Sequence, residues 1–167
     1  MEVCIKKLLL ILTLMIAAQG AQAADLTFQG FPWGTSMETF VARMGQPVSR
    51  DQTEGFVSLL WENVFFLGFR SFMVAYFSSD GLQGGIYYFL TNSMDETIRC
   101  YSDLQRALFG RHGETPVFDA IGRELRSYAS SWTLPSGLAR LRVDTRNGDP
   151  VTLWYSSPEL TRAVLGE

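Results

Sequence analysis

The sequence predicts an α+β fold in which an antiparallel sheet of about six strands carries two main helices on one face. Three observations lead there. Two stretches join a capping Thr or Ser to an apolar stripe of helical spacing and a closing glycine. Six others read as strands rich in β-branched and aromatic residues. Most of those strands are joined by short turns, which makes neighbours antiparallel.

The chain opens Met1-Glu2-Val3-Cys4-Ile5-Lys6-Lys7, runs apolar from Leu8 to about Ala18, and reads Ala21-Gln22-Ala23 before Ala24. A basic head, an apolar core shorter than the roughly 20 residues of a membrane-spanning helix, and an A-x-A site make a secretory signal peptide cut after Ala23. An uncleaved anchor is the competing reading. Residues 1–23 are thus the expected leader and 24–167 a single α+β domain, periplasmic or secreted, with no transmembrane segment in the mature chain. Cys4 precedes the apolar core, so it is not placed as the lipid-bearing cysteine of a lipoprotein precursor.

In the first helix Thr35 is the expected cap, with Glu38 closing a capping box, and Met37, Phe40, Val41 and Met44 form the apolar face before Gly45 and Pro47. Strands follow at Phe56–Trp61, Phe69–Phe77 and Leu82–Leu90, the last two joined through Ser78-Ser79-Asp80-Gly81. Gly84 and Gly85 mark a bulge or a close approach in the returning strand. The second helix starts at Ser93 with Glu96 and ends at Gly110, its apolar side formed by Met94, Ile98, Tyr101, Leu104, Gln105 and Leu108. Residues 113–126 have no clear pattern. Strands then run Ser127–Leu134, Leu138–Asp144 and Val151–Tyr155, turning at Pro135-Ser136-Gly137 and Asn147-Gly148. Ser157, Pro158 and Glu159 begin a short third helix. The halves echo each other as α-βββ units; duplication and coincidence of common caps both remain open.

The chain has 14 basic and 17 acidic residues. The leader removes Lys6, Lys7 and Glu2, leaving 12 arginines against 16 carboxylates and a net charge of −4. Arginines scattered among acids make a poor nucleic-acid surface. Cys100 is the only cysteine after residue 23, so no intramolecular disulfide is expected, and with His112 as the single histidine there is no zinc spacing. Cys100 is expected to pack rather than react, and His112 to lie just past a helix end. No G-x-S-x-G, phosphate-cradling glycine loop or H-E-x-x-H occurs. The expectation is therefore a non-enzymatic protein without cofactor or metal.

The opening Phe28-Gln29-Gly30-Phe31-Pro32-Trp33-Gly34-Thr35-Ser36, the Tyr76–Leu82 hairpin and the helix Tyr101–Gly110 resemble small exported bacterial proteins with an F-x-G-x-P-W-G-x-S opening. The layout is similar to SmpA/OmlA-like envelope proteins and to the beta-lactamase inhibitor protein architecture. That resemblance implies helices covering one face of an antiparallel sheet and an exposed surface that binds other proteins. The lipid-bearing cysteine of SmpA/OmlA-like proteins is missing, and no functional residue carries over.

Strand alternation supplies the candidate surface. Phe69, Met73, Ala75, Phe77, Leu82, Ile86, Tyr88, Leu90, Leu141, Val143, Val151, Leu153 and Tyr155 are expected beneath the helices. The opposite face collects Arg70, Phe72, Val74, Tyr76, Gln83, Tyr87, Phe89, Arg140, Arg142, Thr152 and Trp154. Of these, Arg70, Phe72, Tyr76, Tyr87, Phe89, Arg140, Arg142 and Trp154 form the expected binding site for an envelope or extracellular protein, since aromatics and arginines are enriched at interfaces. Cover by the N-terminal tail or a loop is the competing reading. A small hydrophobic-ligand carrier with a cavity beneath the sheet is the alternative function, and an unrecognised hydrolase a third.

Overall fold

The computed structural model describes residues 25–53, 55–113, 117–121, 127–144 and 150–165. The expected leader, the Asn147-Gly148 turn and much of the 113–126 linker lie outside them. The elements are α1 (Met37–Met44), β1 (Ser49–Thr53), β2 (Phe56–Phe66), β3 (Phe69–Ser78), β4 (Gly81–Phe89), α2 (Met94–His112), β5 (Val117–Ile121), β6 (Ser127–Leu134), β7 (Gly137–Asp144), β8 (Val151–Ser156) and α3 (Pro158–Leu165). Among the described residues no helix is long and apolar enough to cross a membrane.

The strands form one sheet in the order β1-β2-β3-β4-β8-β7-β6-β5, every neighbouring pair antiparallel. The α+β class holds, but the sheet has eight strands rather than six. The two additions are its edges. β1 reads Ser-Arg-Asp-Gln-Thr and is exposed throughout, so burial leaves no alternation to read. Each half is consequently a helix followed by a four-stranded meander, and the halves meet where β4 pairs with β8.

Local chemistry sets the helix ends. Ser36, not Thr35, caps α1: its Oγ accepts the Thr39 N–H, while the Thr35 hydroxyl donates to the Pro32 carbonyl. Ser93 caps α2 as expected, and Glu96 reaches the Asn92 N–H one residue before the cap. α2 runs through Gly110 and closes at Gly113, which places His112 in its last turn. Gly45 and Gly113 adopt almost the same backbone conformation, φ 84° and 82°, in the left-handed region glycine enters freely. Each cap carbonyl accepts an indole N–H from the second strand of its own half: Trp61 to Gly45 at 3.1 Å and Trp132 to Gly113 at 3.0 Å. The same latch thus holds each helix onto its meander.

α1 and α2 share one face of the sheet. Phe40 is fully buried and meets Phe31, Trp61 and Phe77, while Tyr101 and Gln105 of α2 hydrogen-bond Ser130. Cys100, Tyr101, Leu104 and Leu108 are the buried residues of α2, whereas Met94 and Ile98 stand exposed. The opening motif forms the plug of this core. Phe28 and Phe31 exchange backbone hydrogen bonds across a tight turn, and both rings enter the core. Beside them, the Trp33 indole donates to the Ser136 carbonyl and the Gly34 N–H to the Leu82 carbonyl. The motif is structural because it joins both halves of the sheet to the helix layer.

α3 departs from the expectation that helices gather on one face. Ser156 is opposite Gly84 and Leu138, on the face away from α1 and α2, and its hydroxyl pairs with Thr161 of α3 at 2.7 Å. Leu160 seats over Gly84, where a Cβ would come within 2.7 Å of its Cδ2. Ser157 caps the helix by accepting the Leu160 N–H and is itself held by Gln83, whose side-chain oxygen receives the Ser157 hydroxyl and whose carbonyl receives its N–H.

Candidate functional site

Gln83 decides which residues form the open face. Phe77 pairs with Leu82, but the next partners are Tyr76 and Gly84, so Gln83 is an extra residue in β4. Beyond it, the side chains of β4 swap faces relative to unbroken alternation. Tyr87 and Phe89, expected on the open face, are 1% and 0% exposed beneath the helices. Tyr87 pairs with Met73 and Leu153 in a core row, and the Phe66 ring packs against it, tilted, at 4.9 Å. Ile86 and Tyr88, expected in the core, take their places opposite Val74 and Phe72. Gln83 is not a surface residue either; it is buried as the anchor of α3.

The open face is organised in rows across the strands. One runs Leu60, Val74, Ile86, Trp154, Arg140 and Ser131. The next runs Phe72, Tyr88, Thr152, Arg142 and Ala129. Tyr76 stacks on Trp154 with ring centroids 5.9 Å apart and planes 24° from parallel. Of the eight expected site residues, Tyr76, Arg140, Arg142 and Trp154 come together, Phe72 lies beside them, and Arg70 shares the face at a distant end opposite Phe65. Tyr87 and Phe89 do not belong to it.

Where α3 rises from this face it leaves a groove of about 260 Å³. Ile86, Leu138 and Trp154 supply its apolar wall, and Arg140 and Arg142 its charge. The Ser156 and Thr161 hydroxyls also line it but are bonded to each other. The Arg140 Nε is buried and has no hydrogen-bond acceptor among the described residues. Asp144, the next residue of β7 on this side, is buried and has an interaction of its own. Burial, then the neighbouring Tyr88, raises the Tyr76 hydroxyl above its usual pKa, so it stays a neutral donor.

The comparison with known proteins assigns no family: no protein-family model and no curated protein matches the chain. A crystal structure of an extracellular protein containing a SCP domain from Bacillus anthracis str. Ames is similar at a TM-score of 0.46 and 10% identity, over 85% of this chain and 49% of that one. This chain therefore spans about half of that protein's, and a likeness so loose gives it no role.

Reactive groups lie away from the groove. Burial, with Glu96 and Asp103 nearby, pushes the Cys100 thiol up to about 12, which keeps it protonated and inert. His112 is held below its ordinary value by burial and by Arg111, and neither ring nitrogen has a partner among the described residues. Among those residues no three of His, Cys, Asp and Glu gather to hold a metal. The missed groove residues had different signals. Ile86 is hidden by the bulge, Leu138 follows from the alternation of β7, and Thr161 depends on which side α3 lands.

Proposed function

We propose that this chain is an exported, non-enzymatic binding protein that docks an envelope or extracellular protein on the open sheet face. The carrying observation is the strip of Phe72, Val74, Tyr76, Tyr88 and Trp154, half-buried and flanked by Arg140 and Arg142, on the side not covered by α1 and α2. Partly exposed aromatics beside arginines are the composition of interface anchors. The leader reading of residues 1–23 and the resemblance of residues 28–36 to exported envelope proteins support the same assignment. The carrier alternative needs a cavity beneath the sheet, and there the rings of Phe28, Phe66, Tyr87 and Tyr155 pack on one another instead.

The test compares proteins captured from an envelope extract by the wild type and by Tyr76→Ala, Trp154→Ala and Ile98→Ala, each shown to be folded by thermal melting. The two open-face variants are expected to lose a partner that Ile98→Ala, on the exposed side of α2, retains. Equal capture by all four proteins would remove the docking role. N-terminal sequencing of exported protein is expected to begin at Ala24.

A further inference from the structure

We propose that the groove beside α3 recognises a carboxylate: an acidic side chain of the docked protein enters between Arg140 and Arg142 while an adjacent apolar side chain rests on Trp154 and Ile86. This rests on the docking reading and specifies the chemistry of the partner.

Charge is the first argument. The two arginines are two residues apart on β7, so both guanidinium groups leave the same side of the sheet. Neither pairs with a carboxylate among the described residues; the ion pairs there join Arg106 to Asp103 and Arg162 to Glu159. Asp144, the nearest acid along β7, is already engaged. In a chain that is net acidic, this is a positive site that no carboxylate among the described residues pairs with.

The second argument is the orphaned donor. A buried N–H without an acceptor is unfavourable, and a carboxylate approaching edge-on can accept from the Nε and a terminal nitrogen of one guanidinium together. The remaining donors set the preference for two oxygens over the three of a phosphoryl group. The Ser156 hydroxyl is bonded to Thr161, whose own hydroxyl donates to the Ser157 carbonyl, and the Leu160 N–H in the first turn of α3 is taken by Ser157.

Size gives the third argument. At about 260 Å³ the groove falls below the roughly 300–1,000 Å³ of drug-sized ligand pockets and suits one or two side chains of a peptide. Its apolar wall faces the methylene groups that such a segment brings.

The experiment titrates the folded protein with the blocked dipeptides Ac-Phe-Glu-NH2 and Ac-Phe-Gln-NH2 and with inorganic phosphate, following the Arg140 Nε–H and Trp154 indole N–H signals by NMR. The Glu peptide is expected to shift both signals and to bind about five- to tenfold more tightly than its Gln counterpart. Arg142→Gln should remove that preference, as should Arg140→Gln where it folds, while Arg99→Gln, exposed on α2 across the sheet, keeps it. Equal binding of the two peptides, stronger binding of phosphate, or no shift with either peptide would overturn the proposal. If it falls while Trp154→Ala still loses the captured partner, docking stands without carboxylate recognition; if that variant also captures normally, both fall.

Discussion

Replacing Gly85 by alanine tests the packing of the core through the sign of its effect. In the middle of a strand this change ordinarily stabilises by about 0.5–1 kcal/mol, because glycine loses more chain freedom on folding. Here the added Cβ would enter the space occupied by the Phe28 ring. That ring is 0% exposed and packs against Tyr87 at 5.2 Å, Tyr155 at 6.1 Å and Phe40 at 6.3 Å, so it has no free direction in which to move. Overpacking of this kind costs about 1–3 kcal/mol, and the larger local term reverses the usual gain. The expected net loss of about 1–2 kcal/mol corresponds to roughly 2–8 °C in melting temperature for a domain of this size. Phe28→Ala alone should cost about 3–5 kcal/mol. In that background the methyl group enters the space left by the ring, and Gly85→Ala should become neutral or stabilising. Urea midpoints followed by tryptophan fluorescence at constant m-value read both arms. A stabilised single variant, or two substitutions whose effects simply add, would refute the packing argument.

Trp61→Phe and Trp132→Phe each remove one indole N–H from a helix-cap carbonyl, and each should cost about 1–2 kcal/mol in urea unfolding, with additive effects because the latches are in different halves. Costs differing by more than about 1 kcal/mol would show that the two latches are not equivalent. Stability should also fall on both sides of neutrality. Burial raises Cys100 and Tyr155 to about 12 and also raises Tyr87 and Tyr101, so the unfolded chain loses protons first and stability declines as pH rises from about 9 towards 12. His112 acts at the other end: its lowered value lets the unfolded chain bind a proton first, so its contribution is lost as pH drops below about 6.5. A urea midpoint that rises between pH 9 and 11 would contradict the alkaline arm, and thiol modification of native Cys100 at pH 8 would contradict its burial.

The alternation of β3 and β7 is uninterrupted at Phe72, Tyr76, Arg140 and Arg142, so the period-two pattern is enough to place them on one face. Tyr87 and Phe89 break that logic because one bulged residue inverts everything after it. The Gly84-Gly85 pair signals an irregularity in β4, but composition does not say that Gln83 is the inserted residue. The third helix shows its cap and apolar residues in sequence; the side of the sheet it covers depends on Gly84 leaving room for Leu160, a tertiary fact. β1 is illegible because an exposed edge strand need not carry a hydrophobic pattern.

Gly84 and Gly85 also have a consequence for the order in which the molecule assembles. The two residues leave β4 bare, and the strand is gripped there from both sides, by Phe28 on one face and Leu160 on the other. Phe28 also has Tyr155 as a neighbour, a contact between segments 127 residues apart in the chain. The first helix and its four strands, although contiguous in the chain, are left with an unfinished centre until β8 pairs with β4. Six of the seven strand pairings join consecutive strands, so β4 with β8 is the one long-range pairing and the one that carries the entropic cost of closing a long loop. Until residues 151–156 pair with β4, Phe28 lacks the Tyr155 ring that completes its packing.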